Sequence, residues 1–168
     1  MSREARVAVG SVAPDFALPD PVSESMVRLA DFRDRHDVLL VFFRGTWCPF
    51  CRQQIQLLAE NQPRLSAAGI ATIGVACQAA SSVRRYLQKA PSGFPVLADE
   101  SRSVARAYGA HYWLSLEGAH LANPSLFVID RSGSVTMAYR GRNMSDLPIA
   151  DVLEKLLAPP TDAEPARS

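Results

Sequence analysis

Runs of apolar residues alternate with amphipathic stretches along this chain, and the two periods predict strands and helices in turn. Asp37-Val38-Leu39-Leu40-Val41-Phe42-Phe43 is too short for a helix and rich in strand formers, which marks an interior strand. Ile70 to Cys77 is nearly all apolar, as a parallel strand covered on both faces should be. Between them, Arg52 to Glu60 combines strong helix formers with apolar residues at Ile55, Leu58 and Ala59 and predicts an amphipathic helix. Ser81 to Ala90, opened by a serine pair and closed before Pro91, predicts a second helix, and Asp99 to Tyr108 a third, stopped by Gly109. Pro95 to Ala98 is a brief strand. Ser125 to Asp130 and Ser134 to Tyr139 flank Arg131-Ser132-Gly133 and predict an antiparallel hairpin, after which Leu147 to Leu157 predicts a last amphipathic helix. Near the start, Pro14 to Leu18 and Met26 to Leu29 read as short edge strands about a Pro/Ser turn, with a helical turn over Ala30 to Arg35. Residues 110 to 121 are long and apolar for a connector, which suits lining a site ahead of Pro124, packing on the domain, or contact with a second subunit in a homodimer.

This order implies an α/β domain, with a mixed central sheet, helices on both faces and an N-terminal β extension. At 168 residues, 48% of them hydrophobic, the chain can build one substantial core but not comfortably two, so a single domain is expected over 1 to 158. The tail, 159 to 168, holds prolines and small or charged residues and is predicted to be disordered. A net charge of +1, with both signs mixed throughout, argues against a nucleic-acid groove or an anionic membrane surface. No segment is long enough to span a bilayer, and the charged start Met1 to Arg6 is not followed by an apolar signal core, so a cytoplasmic location is expected. Three cysteines, an odd number, argue against a disulfide-stapled secreted fold.

The chemistry concentrates at Trp47-Cys48-Pro49-Phe50-Cys51, where the first buried strand gives way to the first helix. That junction predicts Cys48 at the N-cap and Pro49 at N1, where its missing amide hydrogen does no harm. Unpaired backbone donors then point toward the Cys48 sulfur, which favours a solvent-accessible thiolate there. A bare CxxC also fits half of a zinc site or chance spacing. Zinc would need two further ligands, and His111 and His120 stand in no recognisable ligand pattern, so no metal or cofactor is expected. Arg44 and Arg52 flank the motif and either attract the thiolate or serve as solvated surface charges. Trp47 suits a flat platform beside Cys48 or plain core filling. Cys77, at the end of a buried strand, suits a core role better than that of a resolving thiol.

A CxxC pair at a strand-to-helix junction in this element order is the thioredoxin arrangement. With Ala13-Pro14-Asp15-Phe16, Phe94 to Asp99 and Phe127 to Gly133, the chain resembles the redoxin group, the peroxiredoxin and alkyl hydroperoxide reductase branch of the thioredoxin superfamily. The resemblance spans roughly Val12 to Leu157 and implies a thioredoxin fold. It also shows departures. The Pro-x-x-x-Thr-x-x-Cys loop of typical peroxiredoxins lays Cys51 at the peroxidatic position, but puts Cys48 where threonine stands and Arg44 where proline stands. The distant arginine of that pattern falls on Pro124, which is instead the place of the cis-proline loop of thioredoxins. A cis Pro124 would present the Asn123 backbone to an extended thiol substrate. The buried carboxylate of thioredoxins falls on Phe42.

The leading expectation is therefore a thiol-disulfide oxidoreductase in antioxidant or redox homeostasis, with Cys48 attacking, Cys51 resolving, and Trp47, Pro49, Arg44, Asn123 and Pro124 in support. An alternative is a thiol-dependent peroxidase acting on hydrogen peroxide or organic hydroperoxides, with Cys51 oxidised to a sulfenic acid and Cys48 condensing with it. Another is a non-catalytic redox sensor or binding module. The resemblance implies a disulfide or hydroperoxide substrate, and thioredoxin, a thioredoxin reductase or glutathione as reductant.

Overall fold

The computed structural model describes residues 7–114, 119–122, 124–143 and 145–159, so the expected disordered tail lies almost wholly outside the described residues. The chain first forms β1 (Ala17–Pro19) and β2 (Met26–Arg28), followed by a 3-10 turn over Leu29–Phe32. The next elements are β3 (Asp37–Phe43), α1 (Pro49–Glu60), α2 (Gln62–Ala67), β4 (Ile70–Ala76), α3 (Ala80–Lys89) and β5 (Val96–Ala98). The order closes with α4 (Ser103–Ala107), β6 (His111–Leu114), β7 (Ala119–Ala122), β8 (Ser125–Ile129), β9 (Val135–Arg140) and α5 (Ile149–Leu157).

The central sheet runs β5-β4-β3-β8-β9; β3, β4 and β5 are parallel, while β8 pairs antiparallel with both β3 and β9. Because side chains alternate along a strand, β3 feeds two cores. Leu39, Val41 and Phe43 pack with Ile55 and Leu58 of α1, Leu65 of α2, Val83 and Leu87 of α3, and Val152 and Leu153 of α5. Val38, Leu40 and Phe42 face the other way, toward Leu29, Val104, Ala105 and Tyr108. Burying each large side chain contributes about 1.5–3 kcal/mol, which is why β3, covered on both faces, carries no polar residue after Asp37. Phe42 meets Tyr108 and Phe127 at ring-centroid distances of 5.5 and 5.9 Å, so the position that would hold a carboxylate in thioredoxins is part of an aromatic cluster.

Several elements differ from the sequence expectation for physical reasons. β1 and β2 are not among them: they pair with each other as a two-stranded ribbon, the expected N-terminal β extension. α2 was not expected; Pro63, at its second position, cannot continue the hydrogen-bond ladder of α1 but starts a new helix without loss. α4 is shorter than the predicted Asp99 to Tyr108, because Arg102 adopts a left-handed conformation at φ 62° and the Asp99 carboxylate instead accepts the Ala105 N–H at 2.9 Å. The apolar connector forms an antiparallel ribbon of β6 and β7, with His111 opposite Ala122. Among the described residues, no helix is long and apolar enough to cross a membrane.

Candidate active site

The end of β3, the loop 44–48 and the first turn of α1 build the site. β3 stops at Phe43, and Cys48 takes the N-cap of α1 in an extended conformation, with Pro49 in the first turn. The loop is tied back to the sheet by Gln78, just past β4: its side-chain carbonyl accepts the Thr46 N–H at 2.7 Å and its amide donates to Thr46 Oγ1 at 2.8 Å. From the helix side, Arg52 Nε donates to the Thr46 carbonyl at 2.6 Å, and its guanidinium carbon lies 5.5 Å from the centre of the Tyr86 ring. Gly45 is required at this crossing, because a Cβ there would run into the Trp47 indole and the Gln78 side-chain oxygen. Gly45→Ala is accordingly expected to displace one of them and to cost about 1–3 kcal/mol in a urea melt, measured as a lowered midpoint at unchanged slope.

The structure corrects the expectation of an exposed Cys48. Its exposure is 2%, because the N-cap residue turns its side chain into the core that also holds Cys51, Phe43 and Leu126. Nor does the Cys48 side chain make a capping hydrogen bond. Cys51 is fully buried; the backbone amides of Gly45 and Arg44 favour its thiolate, while the neighbouring Cys48 thiol favours its neutral form. Two effects then oppose each other at Cys51. Burial disfavours the thiolate and the backbone amides favour it; burial prevails, and the Cys51 thiol is pushed up to about 11. All three cysteines are free thiols.

The remaining predicted residues are placed as follows. Trp47 is 53% exposed, so it is not core filling, and its ring lies under the Arg44 guanidinium at 5.4 Å. Pro49 is exposed on the first turn, beside the exposed Phe50. Arg52 is exposed, whereas Arg44 is buried, which separates the two flanking arginines that sequence treats alike. Pro124 is buried and accepts the Gly141 N–H at 2.7 Å. It directly precedes Ser125, the partner of Phe42, and so sits level with the end of β3 from which the loop departs. Asn123, and with it the expected cis bond to Pro124, lies outside the described residues. Cys77 is buried with its sulfur 4.0 Å from Asp99 Oδ2, and burial with the nearby carboxylate pushes its thiol up to about 12, in keeping with a packing role. Gln78, which holds the loop, was missed by sequence reasoning, since a lone glutamine after a strand carries no pattern.

Comparison with known proteins agrees with this geometry. Residues 9–138 match the model of the AhpC/TSA family. Alkyl hydroperoxide reductase E of Mycobacterium tuberculosis is 30% identical over 132 residues, covering 77% of this chain and 83% of that protein. Among solved structures, peroxidoxin BcpB from Mycobacterium tuberculosis superposes with a TM-score of 0.79 at 20% identity, covering 90% of this chain and 97% of that one. A structure from Chlorobium tepidum described as the thiol:disulfide interchange protein DsbE gives 0.69 at 26% identity, covering 90% and 99%. A thioredoxin-type sheet, a cysteine pair at its strand-to-helix junction and a family match across most of the length lead to one conclusion: the chain belongs to the AhpC/TSA family and is a thiol-dependent oxidoreductase.

Proposed function

We propose that the protein is a thiol-dependent peroxidase in which Cys51 attacks the hydroperoxide and Cys48 resolves. What carries this reading is that Cys51, the cysteine that the family loop pattern aligns with the attacking position, is the one whose thiolate the Gly45 and Arg44 amides favour. The Cys51 thiolate attacks one peroxide oxygen; the S–O bond forms as the O–O bond breaks, and the departing oxygen takes the electron pair and then a proton. Cys51 is left as a sulfenic acid. The Cys48 thiol, three residues earlier and packed in the same core cluster, displaces water from it to close a disulfide. A donor dithiol of the thioredoxin kind, or two molecules of glutathione, returns the pair to the reduced state and is itself oxidised to the disulfide. Three cysteines, an odd number with no disulfide framework, suit a reducing compartment such as the cytoplasm.

Thiol-disulfide exchange, with Cys48 attacking and Cys51 resolving, is the second reading. It is favoured by the placing of Cys48 at the N-cap and by the likeness to the DsbE structure. Turnover with hydrogen peroxide and with a model disulfide, measured side by side at one donor concentration, separates the two. The peroxidase reading predicts the larger kcat/KM for peroxide. Exchange with the disulfide and no measurable peroxide consumption would overturn it.

A further inference from the structure

Among the described residues, Arg44 is the charged side chain that the fold draws inward at the strand-to-helix junction. It is 9% exposed, its guanidinium lies over the Trp47 ring, and its Nε and Nη1 are buried with no hydrogen-bond partner among the described residues. Leaving charged donors buried and unmade costs about 1–3 kcal/mol or more, so a fold keeps such a group only where something else uses it. Charge around it has one sign. Between Asp37 and Glu60 the only ionic side chains are Arg44 and Arg52, and α1, a helix of 12 residues, has no acidic residue in its first turn. The positive end of α1, the two amides that favour the Cys51 thiolate and the unpartnered Arg44 guanidinium thus belong to one strand-to-helix junction, whose own residues 38–59 include no carboxylate.

We propose that Arg44 is the group that receives the negative charge shed onto oxygen when Cys51 attacks a hydroperoxide. The inference rests on the peroxidase reading. As the S–O bond forms and the O–O bond breaks, the departing hydroxide or alkoxide accepts hydrogen bonds from Arg44 Nε–H or Nη1–H until it takes a proton from water. The sheet register agrees with this placement. Phe42 pairs with Ser125, so Arg44 leaves β3 within two residues of that pair and Pro124 enters β8 one residue from it, at the same end of the sheet. An arginine on the β3 side of that end serves the same corner as one on the β8 side, where this chain has proline.

The test compares peroxide reduction with alkylation of the same sulfur in Arg44→Lys, Arg44→Gln and Arg44→Leu. Iodoacetamide alkylation reports the nucleophilicity of Cys51 but sheds iodide rather than an oxygen anion. Each arginine variant carries Cys48→Ser, so that only Cys51 is read at the motif, and peptide mapping separates it from Cys77. Expected is a loss of about 100-fold in the second-order rate with hydrogen peroxide in the Gln and Leu variants, partial rescue by Lys, and an alkylation rate within about threefold of the parent. Equal losses in both reactions would show that Arg44 acts only on the ionisation or packing of Cys51, and unchanged peroxide rates would remove its role; either result overturns the inference. A parent that alkylates but ignores peroxide defeats the peroxidase reading itself, and the inference with it.

Discussion

Cys51→Ser is expected to lower peroxide consumption by about 10³-fold or more, to the level of the buffer with thiol donor, because Cys51 is the sulfur whose thiolate the Gly45 and Arg44 amides favour. The fold should survive the change, since a hydroxyl replaces a thiol of similar size and can take the same two amides. Cys48→Ser should behave differently. Its first turnover should proceed at a rate close to that of the parent, while steady-state turnover falls, because the sulfenic acid on Cys51 must then await an external thiol. Stopped-flow consumption of one equivalent of peroxide, followed by steady-state assay, measures both. A Cys51→Ser variant that keeps more than a tenth of the parent rate would move the attack elsewhere.

The second large effect is on pH. Because burial pushes the Cys51 thiol up to about 11, most of it is neutral at pH 7, and the thiolate fraction grows about tenfold for each pH unit below that value. The second-order rate of the Cys48→Ser variant with hydrogen peroxide should therefore rise steeply between pH 7 and 10, by about 100-fold or more. Removing the neighbouring sulfur takes away two of the smaller raising influences and leaves burial, the largest, in place. A rate that is flat from pH 6 to 9 would mean that the thiolate is already formed. Stability should respond with the opposite sign. The folded thiol binds its proton more tightly than the unfolded one, so the contribution is fully present below about pH 9 and is lost as pH rises toward 11. Cys77, pushed up to about 12, extends the loss to higher pH. Urea midpoints should hold steady from pH 8 to about 9 and fall from there to pH 11, and a midpoint that rises over the upper interval would contradict the assignment of buried neutral thiols.

What the sequence discloses depends on which forces set each feature. β3 coincides with the predicted Asp37–Phe43, because seven residues buried on both faces leave a composition that nothing else produces. The start of α1 was equally legible: Pro49 fits only a first turn, which leaves Cys48 as the N-cap. The start of α4 and the ribbon of β6 and β7 were not, since each depends on partners distant in sequence or on a single left-handed residue. The site divides along the same line. The cysteine pair and its flanking arginines can be read from spacing. The burial of both cysteines and of Arg44 cannot, because it depends on how Gln78 and Arg52 pin the loop at Thr46. For that reason the sequence pointed to Cys48 as the exposed nucleophile, while the folded loop directs its donors to the other cysteine.

Mapping the oxidised sulfur tests the central claim most directly. Reduced Cys48→Ser and Cys51→Ser proteins are each treated with one equivalent of hydrogen peroxide in the presence of dimedone, which captures sulfenic acids, and the adduct is located by peptide mass spectrometry. The account predicts a dimedone adduct on Cys51 in the first variant, formed at the rate of peroxide loss, and no adduct on Cys48 in the second. An adduct on Cys48, or none on Cys51 while Cys48 forms mixed disulfides with a model disulfide, would contradict it.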